Sequence, residues 1–179
     1  HSPTMDLALA RRAVDAYLGI VEHSAARHAE VHFFGGEPFF AEKVVHFVVE
    51  YATLRAFEKG IRVRFEATSN GLYNVNRCQW IAEHFSTIVL SLDGPPDIQD
   101  CHRPTVNGLP ASEIIIRNAR TLSEGAVELV LRACITAETV ERMPEMADWI
   151  SREFRPSTVC FETLSLSHTA QPVSFMPPD

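Results

Sequence analysis

The stretch EVHFFGGEPF, residues 30–39, organises the rest of the chain. Val31, Phe33 and Phe34 predict a short buried strand, with His32 its one polar break. Gly35 and Gly36 carry no Cβ, so the backbone there can turn sharply and lie close to another molecule. Glu37 places a carboxylate at the start of the next helix, and Pro38 sits where a missing N–H costs nothing. A strand, a glycine pair, an acid and a helix start in succession make a place to hold a ligand by its ammonium group. The same residues also make a plain tight turn, and the tetrapeptide alone does not separate the two readings.

Upstream, Leu7, Ala10, Val14, Tyr17, Leu18 and Val21 recur at helical spacing, and Ser2-Pro3 offers a capping hydroxyl followed by a first-turn proline. Downstream, a helix is expected from about Pro38 to Lys59, with Val44, Phe47, Val48, Tyr51 and Leu54 on its apolar side and Gly60 as its stop. Ile61–Ala67 alternates apolar and charged residues with the strand period and runs into the polar turn Thr68-Ser69-Asn70-Gly71. Asn74 or Asn76 is placed to cap a helix through Trp80, Ile81 and Phe85. Thr87–Leu92 is another strand, and residues 93–110 form a long loop carrying Asp93, Asp97, Asp100, His102 and Arg103, of a length usually tied to function. A helix over 111–124, a strand over 127–135, a helix over 143–154 and a strand over 158–164 complete the pattern. Residues 1–165 form one α/β core. Residues 166–179 have no periodicity and read as a linker or tail.

Regular strand–helix alternation argues for parallel strands joined by right-handed crossovers. The turns after three successive strands hold the polar residues: Gly35–Glu37, Ser69-Asn70 and Ser91–Asp93. Parallel α/β proteins place their chemistry at these strand ends.

Composition removes several function classes. Hydrophobic residues make up 46% and charged residues 22% of 179, which are globular values. A formal net charge of −7 without a Lys/Arg cluster argues against nucleic acid as a partner. No apolar run is long enough to span a bilayer. The four cysteines, Cys78, Cys101, Cys134 and Cys160, are too dispersed for a disulfide framework or a close-spaced metal motif, and a reducing cytoplasm is the default setting. Cys134 and Cys160 are expected as small apolar core residues, and His32 and His46 as half-buried ones. No HExxH motif is present, so a histidine-bound metal is not expected, and no glycine-rich phosphate loop is present.

Arg132 stands inside an apolar strand and needs an anionic partner, either Glu162 on the next strand or the carboxylate of a ligand. Ser91 is either a strand-end hydroxyl bonded to backbone or a ligand contact. Glu37 for an ammonium, Arg132 for a carboxylate and Ser91 with Asn70 for hydroxyls would together complement an amino acid joined to a ribose.

GGEP at Gly35–Pro38, TSNG at Thr68–Gly71, and SLDGP at Ser91–Pro95 followed by Asp100 and Arg103 occur in this order. Together they resemble the radical S-adenosylmethionine enzymes, and within them the anaerobic sulfatase-maturating and peptide-maturing branch with SPASM-type auxiliary-cluster domains. The resemblance covers about residues 5–165. It implies an α/β fold, a partial parallel (β/α) barrel whose first strand is missing here. It also implies S-adenosylmethionine as cofactor, bound by Gly35, Gly36 and Glu37 at its amino group and by Asn70, Ser91 and Arg132 at ribose or carboxylate. Asp93, Asp100 and Arg103 fall in a loop motif expected to shape the substrate side of the pocket, although Asp93 can equally cap its own turn. The implied reaction is reductive cleavage of the cofactor to a 5′-deoxyadenosyl radical, which takes hydrogen from a peptide or protein substrate.

The chain departs from that family in one respect. CxxxCxxC, whose thiolates hold a 4Fe–4S cluster, is absent from the sequence. The chain begins at His1 rather than at a methionine, and the expectation is a core piece of a larger enzyme, unable alone to cleave the cofactor. A cofactor-less domain used as a peptide-binding module, and an unrelated α/β enzyme, are the alternatives. An exposed edge where a first strand would pair predicts self-association.

Overall fold

The computed structural model describes residues 4–163. The expected helix start at Ser2-Pro3 and the tail 166–179 lie outside those residues. Helix α1 (Leu7–His23) is capped instead by Asp6, whose carboxylate accepts from Leu9 N at 2.7 Å. The strand ahead of the glycine pair, β1 (His28–Phe33), starts earlier than expected. Ala29 is its buried residue, Val31 and Phe33 are half-buried, and Phe34 stands outside it with 71% of its surface exposed.

A single 3₁₀ turn, Pro38–Ala41, leads into α2 (Glu42–Glu58). The buried residues of α2 are Val45, Val48, Val49, Ala52 and Ala56, of which only Val48 is on the expected apolar side, and Leu54 faces outward. Val44, Phe47 and Tyr51 also lean on the core, so the helix is apolar on both sides of its true stripe and spacing alone misplaces it. Next come β2 (Arg62–Ser69), α3 (Val75–His84, capped by Asn74), β3 (Thr87–Ser91), α4 (Pro96–His102), α5 (Ser112–Glu124), β4 (Glu128–Ile135), α6 (Met143–Glu153) and β5 (Thr158–Thr163). Helix α4 corrects the expected long loop. The Pro95-Pro96 pair that breaks the strand also starts this helix, because Pro96 takes its first position and loses no hydrogen bond there.

All five strands are parallel and adjacent in sequence order, β1-β2-β3-β4-β5. Crossovers of one hand between strands laid down in one direction put every helix on the same face. Alternate side chains therefore meet two environments. Phe65, Ala67, Ile88, Leu90, Leu129, Leu131 and Ala133 are buried against the helices. Between them, Glu66, Thr68, Val89, Ser91, Val130, Arg132 and Cys134 line the opposite, half-open face. This is the parallel α/β sheet of a partial barrel, and its carboxyl ends bring the three polar turns side by side. Beyond the unpaired edge of β1 lies an open trough of about 950 Å³ walled by α1, β1 and α2. Among the described residues no helix is long and apolar enough to cross a membrane.

Candidate cofactor-binding site

Glu37 ties the first two turns together. Its Oε1 accepts from Phe39 N at 3.2 Å, capping the 3₁₀ turn, and from Ser69 Oγ at 3.0 Å, while Oε2 accepts from Asn70 N at 2.7 Å. Both glycines ahead of it have left-handed backbone, Gly35 at φ 95° and Gly36 at φ 48°. Both are exposed, and nothing stands within 4 Å of where a Cβ would be. Glycine is needed here for its conformation, and the space above it is open.

The second turn is built more rigidly. Ser69 is 2% exposed and accepts from Gly71 N at 3.1 Å; Asn70 Oδ1 accepts from Leu72 N at 2.8 Å. Asn70 therefore meets Glu37 through its backbone, and its side chain closes the turn. Gly71 has φ 74°, and a Cβ on it would come within 2.7 Å of Leu90 Cδ1 and 3.3 Å of Ile115 Cγ2. Asn118 of α5, fully buried, donates to Gly71 O at 2.8 Å and to Tyr73 O at 2.7 Å. Tyr73 packs edge-on against Phe39 beneath the Glu37 turn, and burial pushes its phenol pKa up.

Ser91 and Arg132 are register partners at the ends of β3 and β4, on the half-open face. Among the described residues the Ser91 hydroxyl takes no hydrogen-bond partner, whereas Arg132 Nη2 pairs with Glu162 Oε2. The arginine side chain is 40% exposed, so the burial that its apolar strand predicts is absent. Every second residue of β4 faces the open side, and Arg132 occupies one of those positions. Cys134 and Cys160 are half-buried for the same reason, and Cys101 is exposed; Cys78 alone of the four is a core residue.

The third turn is a buried charge hub. Asp93, 1% exposed, accepts from Arg103 Nε at 2.8 Å and Nη2 at 3.0 Å and from Cys134 N at 2.8 Å, and His102 Nδ1 lies 3.4 Å from it. Its own N–H donates to Gln99 Oε1 at 2.7 Å. Burial raises the Asp93 carboxyl pKa, but the bonds from His102, Arg103 and Cys134 N outweigh it and hold it below the ordinary aspartate value. Asp100 accepts from Ala111 N, Ser112 N and Ser112 Oγ at 2.7–2.9 Å, so it caps α5 from outside that helix. The site thus has an outer part, Gly35 to Asn70 with Ser91, and a pinned loop, Asp93 to Ser112.

No family model matches the sequence. Among solved structures, anSMEcpe, an anaerobic sulfatase-maturating enzyme, with bound AdoMet and the Cp18Cys peptide superposes with a TM-score of 0.77 at 19% identity, over 94% of this chain and 47% of that one. A domain of pyruvate-formate lyase-activating enzyme from Bacteroides vulgatus gives 0.56 at 15% identity, over 83% of this chain and 84% of that one. The radical S-adenosylmethionine methyltransferase TsrM from Kitasatospora setae, with cobalamin and a 4Fe–4S cluster bound, gives 0.60 at 13% identity over 87% and 29%. The chain has the radical S-adenosylmethionine fold. It spans less than half the length of the maturase structures.

In that fold the turns of this chain fit one implied cofactor and not the other. The open glycine pair, the half-buried Glu37 and the free Ser91 hydroxyl suit the amino-acid and ribose parts of S-adenosylmethionine. The described residues hold no group of three His, Cys, Asp or Glu able to take a metal, and no CxxxCxxC occurs in the sequence. Among the described residues an iron–sulfur cluster has no ligand set.

Two residues to which sequence reading gave no role in the site are central to the geometry. Ser69 stands beside Asn70 in the same turn and bonds Glu37 through its side chain, as Asn70 does not. Asn118 lies on the apolar stripe of its helix with Ile115, Ala119 and Leu122. An amide on a buried stripe must find partners, and that is the signal that marks it.

Proposed function

We propose that this chain supplies the S-adenosylmethionine-binding part of an enzyme that reductively cleaves the cofactor and modifies a residue in a peptide or protein. The observation that carries this reading is the Gly35–Gly36 turn, open above and fixed below by Glu37 to the neighbouring strand end. A carboxylate offers about four acceptor positions. Three are taken by Phe39, Ser69 and Asn70, which leaves one for an ammonium group. Ser91 presents a hydroxyl to the ribose. Arg132 bonds a protein carboxylate and keeps further N–H donors for the ligand carboxylate. The chemistry such an enzyme would draw on is reductive cleavage of S-adenosylmethionine to a 5′-deoxyadenosyl radical, and the part of this chain would be to bind and orient the cofactor. The cysteines for a 4Fe–4S cluster would come from outside these 179 residues.

A peptide substrate is supported by the Cp18Cys and Kp18Cys peptides in the maturase structures. Asp93, Asp100 and Arg103 would then act by holding the loop that borders the substrate side. The cytoplasm is the expected location. The unpaired β1 edge, with exposed Phe34 and Phe40 beside it, is expected to make the isolated chain self-associate, and light scattering that gives a clean monomer at high concentration would remove that expectation.

Calorimetry with S-adenosylhomocysteine tests the main reading without any cluster. Saturable one-to-one binding to the 179-residue chain is expected. No binding of this compound, alongside binding of a peptide, would replace the reading with that of a cofactor-less peptide-binding module.

A further inference from the structure

We infer that Ser69 and Asn118 are positioning residues that set the Glu37 carboxylate, and through it the Gly35–Gly36 turn, for the amino-acid half of the ligand. This rests on the cofactor-binding reading above. The connection is continuous and short. Asn118, fully buried on α5, donates both amide hydrogens to the carbonyls of Gly71 and Tyr73 at 2.8 and 2.7 Å. Gly71 N donates to Ser69 Oγ at 3.1 Å, and that hydroxyl donates to Glu37 Oε1 at 3.0 Å. Asn70 N, in the same turn, holds Glu37 Oε2 at 2.7 Å. Glu37 in turn directly follows the two left-handed glycines.

The physical content lies in what Glu37 lacks without this chain of bonds. It is half-buried and has no Lys or Arg partner among the described residues. Its orientation comes entirely from three hydrogen bonds, two of them made by the Ser69-Asn70 turn. That turn is in turn held from beneath. Gly71 is jammed between Leu90 and Ile115, and Asn118 fixes the carbonyls on either side of Leu72. Glu37 meets the ligand in this reading; Ser69 and Asn118 act through it.

Two variants of the full 179-residue chain test this, Ser69→Ala and Asn118→Ala, each with a thermal melt to confirm folding. Binding is measured for S-adenosylhomocysteine and for 5′-methylthioadenosine, which keeps the nucleoside and lacks the amino acid. Ser69→Ala should weaken S-adenosylhomocysteine about tenfold, the effect of losing one hydrogen bond to a charged group, and leave 5′-methylthioadenosine unchanged. In two-dimensional amide spectra without ligand, the Gly35, Gly36 and Asn70 resonances should shift in both variants. Equal loss for both ligands, or loss for neither, overturns the positioning role. If the wild-type chain binds neither ligand, the cofactor-binding reading falls, and the spectra still decide the relay: unmoved Gly35 and Gly36 amides in Ser69→Ala overturn it.

Discussion

Glu37 and Asp93 both follow a strand of the same sheet by a few residues, and the protein treats them in opposite ways. Asp93 is 1% exposed and is matched by a full countercharge, a forked Arg103 pair, with His102 and the Cys134 amide completing its shell. Glu37 is half-buried and among the described residues meets no countercharge, only two amides and a hydroxyl. The acid whose needs are met internally is a structural hub. The acid left with an acceptor position beside two open glycines is the one the proposed function assigns to a ligand. Strand-end position alone does not separate these two carboxylates; how completely the fold satisfies each does.

Breaking the hub should have the largest effect. Asp93→Ala leaves the Cys134 amide without its partner and Arg103, whose side chain is 37% exposed, without its countercharge, and losing a buried acceptor of this kind typically costs about 3 kcal/mol. Chemical denaturation should show a loss of that order, and a loss below that of an exposed pair would remove Asp93 from the structural side of the comparison. The hub also makes stability depend on pH. Because the folded Asp93 pKa lies below its ordinary value of 3.8, the unfolded chain binds more protons in the window beneath it. The stabilisation is complete above the ordinary aspartate range and is lost as pH falls through the lowered folded value. Asp93→Asn should flatten that acid limb of the stability curve.

The glycines sharpen the contrast next. Gly71→Ala meets both left-handed strain and the Leu90 side chain 2.7 Å away, and should cost about 3 kcal/mol, combining the left-handed penalty with overpacking. Gly36→Ala carries the strain at φ 48° but meets no atom, so its stability cost should be about 1 kcal/mol. Its ligand binding should suffer much more, since the added methyl projects into the space the ligand needs. Denaturation midpoints and calorimetry on the pair separate a glycine kept for packing from one kept for a ligand. Equal stability losses would erase the distinction.

Much of this frame is legible in the sequence, for identifiable reasons. The parallel order follows from strand–helix alternation, and the strand-end turns from GGEP, TSNG and SLDGP. Helix α4 is not legible, because Pro95-Pro96 signals a break equally well whether a loop or a helix follows. The buried stripe of α2 is placed only in part, with Val48 right and Leu54 wrong, because Val44, Val45, Phe47, Val48 and Val49 supply apolar residues at neighbouring phases. For the site, residue type and order mark Glu37, Asn70 and Ser91 as candidates. What they cannot give is the share of bonds between side chain and backbone. Asn70 holds Glu37 through its amide, which any residue there would offer, while the hydroxyl that matters belongs to Ser69. Arg132 reads as buried from its apolar neighbours, yet β4 presents alternate residues to an open face.

Arg132 gives the smallest expected effect and the finest test. Its pair with Glu162 joins two side chains that are 40% and 48% exposed, and such pairs contribute about 1 kcal/mol or less because water and salt screen them and two long side chains must be ordered. Arg132→Ala should therefore change the denaturation midpoint little. If Arg132 exchanges Glu162 for a ligand carboxylate, the same variant should weaken S-adenosylhomocysteine several-fold, and Glu162→Gln should strengthen it by freeing the guanidinium. A pair that serves only the sheet predicts no change in affinity from either variant. Opposite signs for the two would place Arg132 with Glu37, on the ligand side of the comparison, although its partner in the free chain is as plainly visible as that of Asp93. The difference between the two pairs would then lie in the acid, since the arginines are exposed alike at 37% and 40% while Asp93 is 1% and Glu162 48% exposed: a carboxylate open to solvent can release its arginine, and one closed from it cannot.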